Sequence, residues 1–162
     1  SWRRLMLTVK RQGDGLVIAN RASEVGVGLN DRTITLDGQT ITSPGEYERL
    51  GVEVIYGVGA ALIVSEGVQI AIAFEAKPGA FEKNQFTPCD VLITGATEEI
   101  SNLLETYDPK VLVLTSPLPE GAGRNLSVAE VDQVKLTSSG LPTEGREHFL
   151  LQPANKPTGE VA

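Results

Sequence analysis

Histidine and cysteine, two residue types that often carry enzymatic chemistry, are scarce in this chain. It has one histidine, His148, and one cysteine, Cys89. A hydrolytic zinc or iron centre is built mainly from imidazole and carboxylate ligands, with one position left open for water. A single histidine cannot supply such a ligand set, so the sequence argues against a histidine-dependent metal centre.

Other residues that could do chemistry have simpler explanations. No nucleophile lies close to His148 in sequence, so we expect a surface or strand residue rather than a general base. Cys89 precedes an apolar run, which favours a small buried thiol. Glu46 and Glu48 flank Tyr47 and could do acid–base work, although turn and edge positions account for them more simply.

Size and charge limit the class of protein. The chain has 162 residues, 41% of them hydrophobic, and a net charge of −7. We expect a single domain over residues 1–152 and a disordered tail over 153–162. The negative charge disfavours nucleic acid and anionic membranes as partners. A lone cysteine and the lack of any apolar run near ~20 residues favour a cytoplasmic protein without a membrane span.

The beginning of the chain departs from this acidic average. Its basic residues, with one aromatic among them, are Trp2, Arg3, Arg4, Lys10 and Arg11. Charge runs are usually solvated surface, and a solvated end is the simpler interpretation. The cluster still leaves open a nucleic-acid-associated protein that binds through this basic contact patch.

The first half of the chain has the pattern of short strands joined by tight turns. Apolar and polar residues alternate from Leu5 to Lys10, and turn residues follow at 13–15, 37–38, 43–45 and 66–67. Asp37-Gly38 is the strongest of these signals, because a type I′ hairpin turn needs positive φ at both central residues. These patterns predict a sheet of antiparallel hairpins.

The second half alternates between strands and helices. Residues 90–94 and 111–114 are apolar runs, and the segment between them places Ile100, Leu103, Leu104 and Tyr107 on one helical face. We expect Thr97 to cap this helix and Asp108-Pro109 to end it. The pattern predicts a tight βαβ unit with parallel strands.

The last part of the chain contains a further helix signal. Residues 127–130 have the spacing of a capping box, which predicts a short second helix with Val128, Val131 and Val134 facing inward. Leu136 and residues 149–151 then predict closing strands. The fold class is therefore α+β, a layered sheet with helices on one outer face.

A turn and the strand after it carry a recognisable motif: Ser-Pro-Gly-Glu-Tyr-Glu at residues 43–48, followed by Gly51-Val52-Glu53-Val54. This motif resembles one of the metallo-β-lactamase superfamily, in its L-ascorbate-phosphate lactonase branch. The resemblance continues in order over residues ~40–151, through the hairpin at 61–71, the strand–helix–strand ending in Asp108-Pro109-Lys110, and a last strand pair within 134–151. It implies a truncated αββα-type domain, mostly antiparallel, with a C-terminal βαβ unit.

The departures from that family concern its metal ligands. Nothing here is similar to its His-x-His-x-Asp-His loop, and residues 56–60 connect two strands where the family has a further ligand-bearing loop. Glu75 stands where the resemblance implies a bridging carboxylate, and Thr115-Ser116 where it implies a histidine. The resemblance thus implies a degenerate scaffold without metal, in which Glu75 and Ser116 line a vestigial pocket.

From these observations we expect a noncatalytic protein-interaction or structural subunit, without cofactor, that binds a protein partner or self-associates. Two alternatives stay open. One is a hydrolase that works without metal or borrows ligands from a partner chain. The other is a nucleic-acid-associated protein that uses the basic contact patch.

Overall fold

The structure is a computed structural model that describes residues 6–76, 86, 88–123 and 125–153. Its strands form two sheets that pack face to face, and a helix covers the outer face of the larger one. The six-stranded sheet contains Met6–Gln12 (β1), Gly15–Ala19 (β2), Glu24–Gly28 (β3), Thr33–Leu36 (β4), Gln39–Ile41 (β5) and Gln133–Thr137 (β13). The eight-stranded sheet contains Gly45–Arg49 (β6), Val52–Tyr56 (β7), Ala60–Ser65 (β8), Val68–Ala73 (β9), Val91–Thr94 (β10), Val111–Leu114 (β11), Ala129–Val131 (β12) and Glu147–Leu151 (β14).

The six-stranded sheet is antiparallel throughout, in the order β13-β1-β2-β3-β4-β5. Its hairpins follow from local turn chemistry. Asp37 and Gly38 have φ values of 51° and 78°, as a type I′ turn requires, and Leu36 pairs with Gln39 across that turn. The hairpin predicted at Asp37-Gly38 is therefore confirmed.

The eight-stranded sheet is mixed, in the order β12-β14-β11-β10-β9-β8-β7-β6. The strands from β6 to β9 form antiparallel hairpins, and β9, β10, β11, β14 and β12 run parallel. Ile100–Tyr107 (α1) connects β10 to β11. The predicted βαβ unit is confirmed, and so is the α+β fold class with mostly antiparallel strands.

The main core lies between the sheets and is aliphatic. Leu7 and Val9 of β1 meet Ile63, Ile70 and Ile93 of the larger sheet in one cluster of buried side chains. The central strands β10 and β11 are buried along their whole length, which explains why all their residues except Thr94 are apolar. Their ends are therefore held rigidly, which matters for any side chain placed there.

A second core lies under α1. Ile100, Leu103, Leu104 and Tyr107 of the helix are buried against the outer face of the larger sheet, as their spacing predicted. The helix ends at Asp108, which takes the left-handed conformation with φ 48° and donates its backbone N–H to the Leu104 carbonyl at 2.9 Å.

Two details of this helix differ from expectation. The helix begins at Ile100 after the N-cap residue Glu99, which provides no side-chain cap. The hydroxyl of Thr97 instead accepts the backbone N–H of Glu99 at 3.0 Å, before the first residue of the helix. The prediction that Thr97 caps the helix is wrong, because the hydroxyl closes a local turn that precedes it.

The predicted second helix is also wrong. Residues 129–131 form β12, which pairs in parallel with β14, and the chain then crosses to β13, which pairs with β1. Val128, Val131 and Val134 are β-branched and suit strands better than a helix, and pairing with distant strands decides between the two. For the same reason the strands expected as a last pair, β13 and β14, belong to different sheets.

The expected tail falls, apart from Pro153, outside the described residues, as does Leu5 of the first strand. The domain boundary at residue 152 stays a prediction.

The contact between α1 and the sheet supports a stability prediction. Leu103 is fully buried, so Leu103→Ala leaves a cavity and should lower the free energy of unfolding by about 2–5 kcal/mol. Ser101→Ala on the exposed face of the same helix serves as the control, with a change within about 0.5 kcal/mol. Urea unfolding followed by circular dichroism measures both, and equal effects would show that α1 does not depend on this contact.

Candidate functional site

The three central parallel strands end at one edge of the larger sheet. Ala73 of β9 lies beside Thr94 of β10, which lies beside Leu114 of β11. Ligands of open sheets with parallel strands bind outside the carboxyl ends of those strands. The segments that follow these strands, 74–75, 95–96 and 115–116, are therefore where a site is expected.

A cleft of about 310 Å³ lies at this edge, and we call it the strand-end cleft. Its lining comes from both sheets and comprises Arg11, Asp14, Leu29, Asn30, Ala73, Phe74, Gly95, Thr115 and Ser116. Ser116, one of the two residues predicted to line a pocket, is among them. Its hydroxyl oxygen accepts the backbone N–H of Ala96 at 2.9 Å, which joins the ends of β10 and β11.

Arg11 places a positive charge in the strand-end cleft. It follows Leu7 and Val9 at every second position of β1, so its side chain lies on the face that meets the larger sheet. One terminal nitrogen, Nη1, donates to the Thr115 carbonyl at 2.8 Å, and Nε is buried without a partner among the described residues. The guanidinium therefore links the two sheets at the strand-end cleft.

Glu75, the other predicted pocket residue, lies beside the strand-end cleft and does not line it. Its carboxylate accepts Nη1 of Arg32 at 3.0 Å, and its backbone N–H donates to the Gly59 carbonyl at 2.9 Å. The carbonyl of Arg32 in turn accepts the Tyr56 hydroxyl at 2.6 Å. Burial raises the pKa of Tyr56, so this phenol stays protonated and keeps donating. Glu75 thus pairs with a cation of the β3–β4 connection.

The residues of the basic contact patch are divided by the structure. Trp2, Arg3 and Arg4 lie outside the described residues. Lys10 and Arg11 are neighbours on β1 and therefore point to opposite faces: Lys10 is exposed on the outer face of the smaller sheet, and Arg11 lies in the strand-end cleft. These two side chains do not form one surface.

The single histidine and the single cysteine lie away from the strand-end cleft. His148 belongs to β14, where it lies opposite Leu112 in the strand register, two residues before the end of β11. It lines a different cleft, of about 620 Å³, together with Cys89, Asp90, Asp108, Lys110 and Arg146. Cys89 is buried, and this burial, with the charge of Asp90 adding to it, raises the pKa of its thiol to about 12. Such a thiol is protonated at neutral pH and is a poor nucleophile.

Among the described residues, the side chains at the strand ends do not provide the ligand set of a zinc, iron or manganese centre. Within the described residues no three His, Cys, Asp or Glu side chains come close enough to hold a metal ion. Asp14 is the acidic residue of the lining, Glu75 beside the cleft is paired with Arg32, and the cleft itself contains the cation Arg11. The sequence predicts Ser116 and Glu75 in this neighbourhood, whereas its pattern of charges places Arg11 in the basic contact patch.

The surroundings of His148 support a prediction on pH. Burial lowers its pKa below 6.5, a hydrogen bond to the Ser127 backbone partly offsets this, and the charge of Arg146 lowers it further. Its Nε2 atom is buried without a partner among the described residues. The unfolded chain therefore binds a proton more readily than the folded chain, and folding stability should fall as the pH drops through about 6.5 toward the lower folded pKa.

This pH dependence can be separated from that of the carboxylates. Urea midpoints of the native chain and of His148→Gln are compared at about pH 7.5 and about pH 5.5. We expect the native chain to lose more stability than the variant over that interval. Equal losses would mean that His148 titrates alike in the folded and unfolded states.

Comparison with known proteins identifies the fold. No protein-family profile matches the chain, and no curated protein matches it either. A solved structure from Thermotoga maritima, described as a candidate Zn-dependent hydrolase of the metallo-β-lactamase superfamily, superposes with a TM-score of 0.63 at 12% sequence identity. The alignment covers 90% of this chain and 98% of that chain. Within the described residues, no helix has both the length and the apolar character needed to cross a membrane.

At this identity the likeness concerns the fold alone. The superfamily resemblance is supported at the level of architecture, over nearly the full length of both chains. The lactonase branch and the loss of its metal ligands stay predictions. Taken together, the two-sheet architecture and the superposition show that this chain has a metallo-β-lactamase-like fold.

Proposed function

We propose that this chain is a noncatalytic protein-interaction or structural subunit that uses a metallo-β-lactamase-like scaffold without metal chemistry. The observation that carries the proposal is the position of Arg11. Its guanidinium lies in the strand-end cleft and donates to the carbonyl of Thr115.

A permanent cation in this position opposes the binding of a divalent metal. Two unit charges 4 Å apart interact by roughly 4 kcal/mol at an effective dielectric constant of about 20, and a divalent ion doubles this repulsion. Several anionic or imidazole ligands would be needed to overcome it. The carboxylate beside the cleft, Glu75, already neutralises Arg32, and Asp14 is the acidic residue in the lining.

The cleft also offers little to a hydrolase that works without metal. Ser116 is a hydroxyl in the lining, and its oxygen accepts the N–H of Ala96. A serine becomes a nucleophile when an adjacent base takes its proton. Histidine is the residue that most often acts as this base, and the single histidine, His148, lies in the other cleft.

The surface of the larger sheet supports a role in protein binding. Its terminal strand, β6, has four exposed residues, Gly45, Glu46, Glu48 and Arg49, and a half-buried Tyr47. An open sheet edge offers backbone groups to another chain. A fold that keeps this edge accessible is suited to assembly with a partner.

The metal half of the proposal is tested on protein purified without chelators from medium supplemented with zinc, iron and manganese. We expect elemental analysis to find each metal well below one ion per chain. We also expect added Zn²⁺ to leave the thermal midpoint unchanged, because a ligand that binds the folded state raises it. Stoichiometric metal that survives dialysis, or a zinc-dependent rise in the midpoint, would overturn the noncatalytic assignment.

The interaction half is tested by size. In an extract of the source cells the chain should elute from gel filtration in a complex larger than the purified chain forms alone. Elution at the volume of the purified chain would count against a subunit role.

A further inference from the structure

We propose that β6 is a docking strand, and that its occupant is an extended segment of a partner protein with Lys or Arg at alternate positions. The segment adds to the larger sheet as a further antiparallel strand. This inference rests on the proposed function, and it names the surface and the chemistry of the partner.

The backbone of β6 is arranged for such an addition. Arg49 and Val52 flank the two-residue turn formed by Leu50 and Gly51, whose φ values are 55° and 78°. The pair that closes a two-residue hairpin exchanges both backbone hydrogen bonds, and such pairs alternate with pairs that exchange none. By this alternation, the pairs Glu48–Glu53 and Glu46–Ile55 exchange no backbone hydrogen bonds.

The N–H and C=O groups of Glu46 and Glu48 therefore point away from β7, toward the open edge. Both residues are exposed, and β6 ends the sheet within the described part of the chain. An added strand can take up four backbone hydrogen bonds at these two residues. This is the backbone part of the recognition.

The side chains add an uncompensated negative charge. Glu46 and Glu48 share the face of the sheet that carries Glu53, because Glu48 lies directly opposite Glu53 in the register. Like charges directly opposite each other destabilise a strand pair. None of the three forms an ion pair with another described residue, whereas Arg49, on the other face of β6, pairs with Asp37 at 2.6 Å.

These features specify the sequence of the occupant. In an antiparallel added strand, the residues opposite Glu46 and Glu48 are two positions apart and point to the same face as the glutamates. Basic side chains at those positions reach three carboxylates in a groove of about 420 Å³, which Val54 and Ile55 also line. The residue between them lies opposite Tyr47, on the face that packs toward the core, where an apolar side chain fits.

The same charges argue against a second copy of this chain at this edge. In a two-fold symmetric dimer, the β6 strands of the two copies would pair antiparallel. If the two-fold axis passes beside residue 46, 47 or 48, Glu46 or Glu48 lies directly opposite Glu46 or Glu48 of the other copy. Each such register brings like charges together at the new interface, which opposes association. The partner at β6 is therefore a different, basic segment.

The probe is a fluorescent peptide of about ten residues in which lysine alternates with valine or threonine. The control peptide has the same composition with its lysines consecutive, so that charge is kept and alternation is lost. Fluorescence anisotropy with the full chain should show binding of the alternating peptide at least about tenfold tighter than binding of the control. Equal binding of both peptides, or of neither, would overturn the proposal.

Matched variants separate charge from backbone pairing. Glu46→Lys/Glu48→Lys should abolish binding, whereas Glu24→Lys/Glu105→Lys, which makes the same change at exposed positions elsewhere, should leave it unchanged. Glu48→Pro should bind more weakly than Glu48→Gln, because both lose the charge but proline also removes the outward N–H. Retained binding by the β6 double-lysine variant would contradict docking at this edge.

Amide hydrogen exchange gives a readout that does not depend on any variant. The N–H groups of Glu46 and Glu48 should become protected when the alternating peptide is bound, and the amide of Glu24, an exposed residue of the smaller sheet, serves as reference. Peptide binding without this protection would overturn strand addition. If the chain stays metal-free and assembles in extracts but the peptide does not bind, β6 is the wrong surface while the proposed function stands.

Discussion

The burial of two sheets against each other is the constraint on which the rest of this structure depends. Ile70, Ile93 and Val113 of the larger sheet and Val9 of the smaller one are fully buried in a single core. Because β10 and β11 are also covered by α1 on the other face, their positions are fixed from both sides. The strand-end cleft is located where these packed strands end.

Arg11 illustrates how this packing determines chemistry. On an isolated strand a residue at this position would be one more basic side chain near a basic terminus. Once β1 is packed on the larger sheet, alternate residues of the strand point toward that sheet, and the side chain after Val9 meets the carboxyl end of β11. The carboxyl edge of the parallel strands therefore holds a guanidinium.

The open edge at β6 depends on the same arrangement. The larger sheet grows outward from the buried parallel strands through hairpins that become progressively more exposed, from β8 to β7 to β6. The last strand needs only one partner to fold, so half of its backbone groups are available. The three glutamates there discourage pairing between identical chains and favour a basic partner.

Local chemistry made much of the fold predictable from the sequence. The positive-φ turns at Asp37-Gly38 and Glu66-Gly67, the alternation in the first strands and the helical face of α1 all involve residues close in the chain. The strands within residues 127–134 form only through pairing with β14 and β1, which are distant in sequence, so the local pattern predicts a helix there instead. The scarcity of metal ligands follows from the composition alone, because a chain with one histidine has one imidazole to offer in any fold.

The sequence by itself thus determined which elements form from neighbouring residues, and which reactive side chains are available. The tertiary structure alone decided where those side chains meet. It placed Arg11 at the strand ends, bound Glu75 to Arg32, separated His148 from both and, within the described residues, left β6 with one strand neighbour. The physical reason is that turns and helices are set by interactions over a few residues, whereas a site is set by which buried faces pack together.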